Sequence, residues 1–123
     1  MEEIVKEYIS KPNLGLQFDE ETHGETFVVR CRGAFSLGSY SRLDEIGKKV
    51  KAAKAKRVVL DLHGVQHMDS TGMGTLATIF KETRAAGRDL VLVPSPEVRT
   101  ILVTVNLDKV FPLAETVEAA LGA

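Results

Sequence analysis

The sequence predicts an α/β domain in which a mixed, largely parallel sheet of four to five strands carries about four helices. Three observations lead to this fold class. Apolar stretches of strand length alternate with segments of helical periodicity after residue 33. Connections of helix length return the chain in the same direction, so the strands that they join pair in parallel. A chain of 123 residues with 44% apolar content has the size of one domain with one core.

The first elements are predicted to form a hairpin. Residues 14–18 (LGLQF) and 27–33 (FVVRCRG) are apolar stretches separated by a polar segment that turns near Gly24. Residues 1–13 are expected to be an N-terminal extension or an extra edge strand. Cys31 is the only cysteine, which excludes an internal disulfide, and it is expected to be a small apolar filler in its strand.

Helices and strands are predicted to alternate through the rest of the chain. Ser41 followed by Asp44 has the form of a capping box, and Gly87 is placed to end a later helix. The predicted elements are a helix over 40–54, a strand over 57–62, a helix over 72–86, a strand over 89–94, a helix capped by Ser95, a short strand over 110–113 and a terminal helix from Thr116.

The charge pattern favours no general attraction to nucleic acid or to anionic membranes, because the formal net charge is only -1. The Lys-rich run over residues 48–57 contains no aromatic residue, and Asp44 and Glu45 stand four residues before Lys48 and Lys49. That run is therefore expected to be a solvated helix face. No apolar run is long enough to span a bilayer and the amino terminus is acidic, so a cytoplasmic protein is expected.

An unusual segment joins the strand over 57–62 to the helix over 72–86. Residues 60–74 read LDLHGVQHMDSTGMG, which places an acid, two hydroxyls and two glycines around a helix start. One helix cap needs one such residue, whereas each glycine inside a helix costs up to about 1 kcal/mol. The segment also follows the carboxyl end of a predicted parallel strand, where α/β sheets present their working loops. A functional role is therefore predicted for it.

Several chemistries fit this segment poorly. A phosphate-binding loop would need a third glycine or a GxxxxGK[ST] motif. A nucleophilic Ser or Thr would need a base in reach, and His63 and His67 precede the hydroxyls on the same predicted loop. Metal binding by these histidines and Asp69 would need a helical spacing that Gly64 disfavours. Modification remains, because a phosphate on Thr71 or Ser70 at a helix N-terminus leaves the fold intact and alters the surface.

Residues 60–76, LDLHGVQHMDSTGMGTL, resemble the signature of the STAS domain in bacterial anti-sigma factor antagonists. That signature is an apolar strand, a Gly, a few residues, (M/I)DSSGLG or a close variant, and an apolar helix. The likeness extends over about residues 14–121, including Gly33 after the second strand, the Pro-Ser-Pro segment at 94–96 and the closing stretch over 107–111.

The resemblance implies which residues carry the function. In the family the hydroxyl residue just before the first glycine of the motif is phosphorylated, and that position is Thr71, with Ser70 as the alternate acceptor. Met73 suits either a core or an adaptable interface. The implied partner-binding residues are Asp69, Ser70, Thr71, Gly72, Met73, Gly74 and Ser36.

The resemblance also implies the partners. The unphosphorylated protein is expected to bind an anti-sigma factor that is also a serine/threonine kinase, ATP-binding and of histidine-kinase-like fold, and thereby to free a sigma factor. A PP2C-type phosphatase is expected to remove the phosphate. The chain itself is expected to be no enzyme, to need no cofactor and no metal, and to make no direct contact with nucleic acid or membrane.

Two departures from the family pattern bear on these expectations. Many relatives carry Gly-Glu-Leu-Asp after the second strand, with the Asp facing the kinase, whereas residues 33–36 here are Gly-Ala-Phe-Ser. Ser36 is expected to cap or hydrogen-bond locally instead. Thr71 replaces the commoner Ser, which makes the side chain stiffer. Two other hypotheses stay open, a constitutive STAS scaffold and a small-ligand or nucleotide-binding module, neither of them regulated by phosphorylation.

Overall fold

The structure, a computed structural model, describes residues 15–122 and confirms the predicted fold class. The predicted extension over residues 1–13 lies outside the described residues. The elements are β1 (Leu16–His23), β2 (Thr26–Phe35), α1 (Tyr40–Ala52), β3 (Arg57–Met68), α2 (Ser70–Ala85), β4 (Asp89–Pro94), α3 (Pro96–Thr104) and α4 (Val117–Gly122).

The four strands form one mixed sheet in the order β1-β2-β3-β4. β1 and β2 pair antiparallel as the predicted hairpin, which turns at Gly24, a residue with φ of 59°. β2–β3 and β3–β4 pair in parallel because α1 and α2 carry the chain back to the starting edge. The carboxyl ends of β2 and β3 therefore lie side by side, with Phe35 opposite Met68.

The sheet is buried unequally on its two faces. On one face, alternate residues of β2, β3 and β4 pack against α1 and α2, and these include Val29, Leu60 and Leu92. On the other face a smaller cluster forms around Val59, where α4 covers the sheet. Cys31 is buried in the larger cluster, and burial raises the pKa of its thiol, so it is the inert filler that was predicted.

β3 is longer than predicted and replaces most of the expected loop. It runs from Arg57 to Met68, whereas the apolar stretch ends at Leu62. Its pairing with β2 contains two register shifts, each of which places an extra residue on β3 between Asp61 and His67. These bulges interrupt the alternation of buried and exposed residues, which is why the sequence pattern indicated a loop.

Helix ends confirm one prediction and correct another. After α2, Gly87 has φ of 71°, its N–H donates to Arg84 and the Arg88 N–H donates to Thr83, which is a Schellman motif. α1 begins at Tyr40, so Ser41 lies within its first turn and the predicted capping box is wrong.

The predicted strand over residues 110–113 is also wrong. Only an isolated parallel bridge joins Leu113 to Leu92 on the outer side of β4. Pro112 has no N–H to donate to a ladder, and the N–H groups of Val110 and Phe111 both donate to the Leu107 carbonyl in a turn. None of the helices over residues 15–122 is both long and apolar enough to cross a membrane.

Candidate functional site

The candidate site lies where β3 passes directly into α2. Asp69 is the one residue between Met68 and Ser70, and it occupies the N-cap position with an extended backbone. One carboxylate oxygen of Asp69 accepts from the Gly72 N–H at 3.0 Å. The Asp69 N–H donates to the Phe35 carbonyl at 3.1 Å, so the cap is fixed to the end of β2. Asp69 is therefore the structural cap of α2.

Asp69 also ties a second segment to the site. Its other carboxylate oxygen accepts from the Leu37 N–H at 3.0 Å, in the connection between β2 and α1. The backbone N–H groups of Leu37 and Gly72 lower the pKa of Asp69, because both bonds favour the ionised carboxylate. One charged side chain thus holds the start of α2 and the β2–α1 connection together.

The two hydroxyl residues follow the cap on the first turn of α2. Ser70 is exposed and Thr71 is partly exposed. The Thr71 carbonyl accepts from the Thr75 hydroxyl at 3.1 Å, whereas neither the Ser70 nor the Thr71 hydroxyl is hydrogen-bonded to any residue in the described part of the chain. Both residues therefore present surface to solvent at a helix end that favours an added anion.

The two glycines of the motif have different roles. Gly72 is buried, and a Cβ there would collide with the carbonyl and the side chain of Phe35, so only glycine lets α2 approach the end of β2. A Cβ at Gly74 would meet nothing within 4 Å. The fold therefore explains Gly72 but not Gly74, which is exposed beside Thr71.

The remaining predicted site residues lie close by. Met73 is partly buried and packs against the core, so it belongs at least in part to the interior. Ser36 precedes the short 3-10 helix Leu37–Ser39 at its N-cap position, but its side chain makes no capping hydrogen bond. His63 and His67 are exposed on β3, and neither bonds to Ser70 or Thr71 among the described residues.

Two neighbouring apolar residues were not predicted from the sequence. Leu37 is 69% exposed and Tyr40 is 60% exposed, the two most exposed large apolar side chains of the described residues. Tyr40 and Thr71 line one groove of about 490 Å³ between α1 and α2, and Leu37 is held beside the site by Asp69. The sequence feature that could have indicated them is the presence of large apolar residues within the Ser- and Gly-containing stretch FSLGSY.

The features of the site combine charged, polar and apolar groups. An ionised cap, two hydroxyl residues and two exposed apolar side chains meet at one edge of the sheet. Such a surface can bind a protein partner through Leu37 and Tyr40, and it can accept a covalent group on a hydroxyl next to them.

Comparison with known proteins places the chain in a family. The family model described as the STAS domain matches residues 17–120, so the chain belongs to the STAS domain family. It is 32% identical over 82 residues to the anti-sigma F factor antagonist of Lysinibacillus sphaericus, covering 63% of this chain and 68% of that protein.

Solved structures are similar over most of the chain. The crystal structure of an anti-sigma factor antagonist from Mycobacterium paratuberculosis superposes with a TM-score of 0.75 at 27% identity, covering 87% of this chain and 92% of that chain. The phosphorylated form of SpoIIAA, a Bacillus cell fate determinant, has a TM-score of 0.63 at 22% identity, covering 85% of this chain and 96% of that chain. The fold is therefore the STAS fold, which these anti-sigma factor antagonists share.

Proposed function

We propose that this protein is a non-enzymatic anti-sigma factor antagonist whose binding is switched by phosphorylation of Thr71. In its unmodified form it binds an anti-sigma factor that is also an ATP-binding serine/threonine kinase of histidine-kinase-like fold, and this binding releases a sigma factor. Transfer of phosphate to Thr71 ends the interaction, and a PP2C-type phosphatase restores it. The family and the named relatives support the antagonist role.

The observation that carries the proposal is the position of the Thr71 hydroxyl. It lies two residues after the N-cap, partly exposed, where the positive end of the α2 dipole and its first N–H groups favour an anion. A phosphate of about -1.5 to -2 charges can be added there without burying charge in the core. The fold is therefore expected to be retained while the surface changes.

The effect on binding follows from what surrounds Thr71. A partner that covers Leu37 and Tyr40 must also approach the first turn of α2, because Tyr40 and Thr71 line the same groove. A hydrated dianion in that interface would have to be desolvated next to Asp69, which already carries a negative charge. Phosphorylation is thus expected to weaken binding through repulsion and desolvation at the surface.

The experiment uses the candidate anti-sigma kinase with ATP and the purified full chain. Intact mass reports whether one phosphate is added, and phosphopeptide mass spectrometry assigns it to Thr71 or to the alternate acceptor Ser70. Thr71→Val, which keeps the shape and removes the hydroxyl, is the matched control and is expected to bind the kinase but to accept no phosphate. Phosphate on neither residue would contradict the switch.

Binding of the phosphorylated protein to the same kinase gives the second half of the test. The proposal expects the phosphorylated form to bind on the order of tenfold or more weakly than the unmodified form, which corresponds to about 1.4 kcal/mol. Equal affinity of the two forms would favour a constitutive scaffold. That result would also show that docking, which relies on Leu37 and Tyr40, does not depend on phosphorylation.

A further inference from the structure

The groove between α1 and α2 extends well beyond the candidate site. The part that Tyr40 and Thr71 line has a volume of about 490 Å³, and a second part of about 500 Å³ follows it and shares lining residues with it. Val50 and Ala85 line the far part, so the two helices run in the same direction. From Thr71 to Ala85 the helix rises by about 21 Å at 1.5 Å per residue. The groove is therefore as long as about four helical turns.

Two glycines lie on the walls of the groove, one in each helix. Gly47 is within α1 and Gly74 is within α2, and both line the first part. A Cβ at either position would meet nothing within 4 Å, so packing inside the domain needs neither glycine. Glycine inside a helix lowers stability relative to alanine. What the two glycines provide is room for the backbone of another segment to approach both helices closely.

Unpaired positive charge lies along the α1 side of the groove. Lys51 and Lys54 line it, are exposed, and form no ion pair with any residue that the structure describes. Lys48, one turn earlier, is paired with Asp44 at 3.1 Å. On the α2 side, Glu82 is the one acid among the described lining residues. A segment that turns negative charge toward α1 would therefore be attracted to this groove.

The groove suits a helix better than an extended segment. Its walls are two helices, whose interior N–H and C=O groups are bonded along each helix. The Thr75 hydroxyl, also in the wall, already donates to the Thr71 carbonyl. An extended segment would leave many of its own N–H and C=O groups without partners, whereas a helix satisfies them internally. A helix can also lay its ridge of side chains over Gly47 and Gly74.

One end of the groove is continuous with the candidate site, because the exposed Tyr40 ring and Thr71 both line it. We propose, building on the proposed function, that the groove binds an amphipathic helix of the anti-sigma kinase. Small residues of that helix would face the two glycines, and acidic residues would face Lys51 and Lys54. The groove thereby selects the kinase, while the state of Thr71 determines whether the kinase stays bound.

The first test fills the groove at a distance from Thr71. Gly47→Leu places a side chain about 10 Å along α1 from Tyr40, at 1.5 Å per residue. This variant is expected to melt no lower than the wild type, because leucine favours a helix more than glycine does. In calorimetry it is expected to bind the anti-sigma kinase on the order of tenfold or more weakly. Ala77→Leu, on the exposed surface of α2 outside the groove, is the matched control and should bind normally.

The second test reverses the charge of the α1 side. Lys51→Glu combined with Lys54→Glu is expected to weaken kinase binding on the order of tenfold or more at low salt, and by less at high ionic strength. The control combines Lys81→Glu with Lys109→Glu, which changes the net charge equally at exposed residues outside the groove. Its effect on binding is expected to be much smaller.

The third test identifies the segment that lies in the groove. Thr78→Cys places a thiol on the exposed wall of the groove, whereas Cys31 is 2% exposed and does not compete for a label. A photoreactive group attached at residue 78 is activated in the complex with the anti-sigma kinase, and the crosslinked peptide is identified by mass spectrometry. The expected product joins residue 78 to a helical segment of the kinase that carries acidic residues.

The outcomes distinguish the groove from the switch. Normal binding by Gly47→Leu, equal effects of the two charge reversals, or a crosslink to a segment without acidic residues, to a second copy of this chain or to nothing would each overturn the groove proposal. Phosphorylation of Thr71 in the same preparations would then leave the proposed function standing. A wild-type chain that the kinase neither binds nor phosphorylates would overturn both.

Discussion

The β3–α2 and β4–α3 junctions are built from the same parts and differ in what they expose. In each, one residue separates a parallel strand from a helix, Asp69 in the first and Ser95 in the second. Ser95 is 1% exposed, donates to the Val65 carbonyl at 2.5 Å and accepts from the Val98 N–H at 3.0 Å. All of its hydrogen bonding is thus internal, whereas Asp69 is partly exposed.

The second residue of each helix shows the difference most clearly. Two residues after Ser95, α3 carries Glu97, an exposed acid in its first turn. The equivalent position of α2 is Thr71, a neutral residue that would become negative on phosphorylation. The fold therefore already tolerates a permanent anion at this position of one helix. A reversible anion at the same position of the other helix is expected to be tolerated as well.

The largest effect is expected at the two glycines of α2. Gly72→Ala should destabilise the fold by about 2 to 3 kcal/mol, because its Cβ would collide with Phe35 at the end of β2. Gly74→Ala is the matched control in the same turn and should stabilise the helix by up to about 1 kcal/mol, since nothing obstructs its Cβ. Urea unfolding of both variants measures the contrast. Similar stabilities would show that α2 does not contact β2 this closely.

A smaller effect on stability is expected at the buried cap. Ser95→Ala removes the donor to Val65 and the acceptor for Val98, both buried, and should cost about 2 kcal/mol. Binding to the anti-sigma kinase should not change, because the Ser95 side chain does not reach the surface. Denaturant unfolding and a binding titration on the same preparation separate the two roles. Weaker binding by a correctly folded variant would place the partner on α3 as well.

Asp69, the exposed cap, is expected to affect kinase binding more than stability. Asp69→Asn loses one of two accepted backbone bonds, to Leu37 or to Gly72, and should cost about 1 kcal/mol of stability. When the lost bond is the one from Leu37, the free energy of kinase binding should fall by more than this loss of stability, since the segment that carries Leu37 is released. A variant that binds like the wild type would show that the tie to Leu37 is not needed for docking.

The same variant tests the pKa of Asp69 through its dependence on pH. The folded state lowers this pKa, so the ionised carboxylate stabilises the protein above the ordinary aspartate value of about 3.8. That contribution is lost as the pH falls through the lowered folded value. The difference in unfolding free energy between wild type and Asp69→Asn should therefore shrink as the pH falls through and below the ordinary aspartate value. A constant difference over this range would contradict the assigned hydrogen bonds.

The smallest effect is expected at Glu97. Glu97→Gln removes the first-turn charge of α3 and should lower stability by about 0.5 kcal/mol, with the loss reduced by salt. Thermal unfolding at low and high ionic strength measures it. Absence of this loss at low salt would contradict a favourable position for an anion at the start of α3 and, by equivalence, at Thr71.

The sequence predicted the helices and the central strands because their apolar residues repeat with a regular period. It predicted Gly87 and Ser95 because helix ends have a local chemistry. It did not predict the length of β3, since two extra residues break the period after Asp61. It also did not predict Leu37 and Tyr40, whose place beside Thr71 depends on the Asp69 bond across the fold. Contacts between distant segments leave no periodic signal.

The central claim is that a negative group at Thr71 changes binding without changing the fold. Thr71→Glu is titrated against the anti-sigma kinase by calorimetry, and its melting temperature is measured in parallel. The control is Gln17→Glu, which adds the same charge on exposed β1. We predict that Thr71→Glu melts within about 3 °C of wild type, less than a loss of 1 kcal/mol would cause. We also predict at least about tenfold weaker binding, while Gln17→Glu binds normally. Wild-type affinity for Thr71→Glu, or a large fall in its melting temperature, would contradict the account.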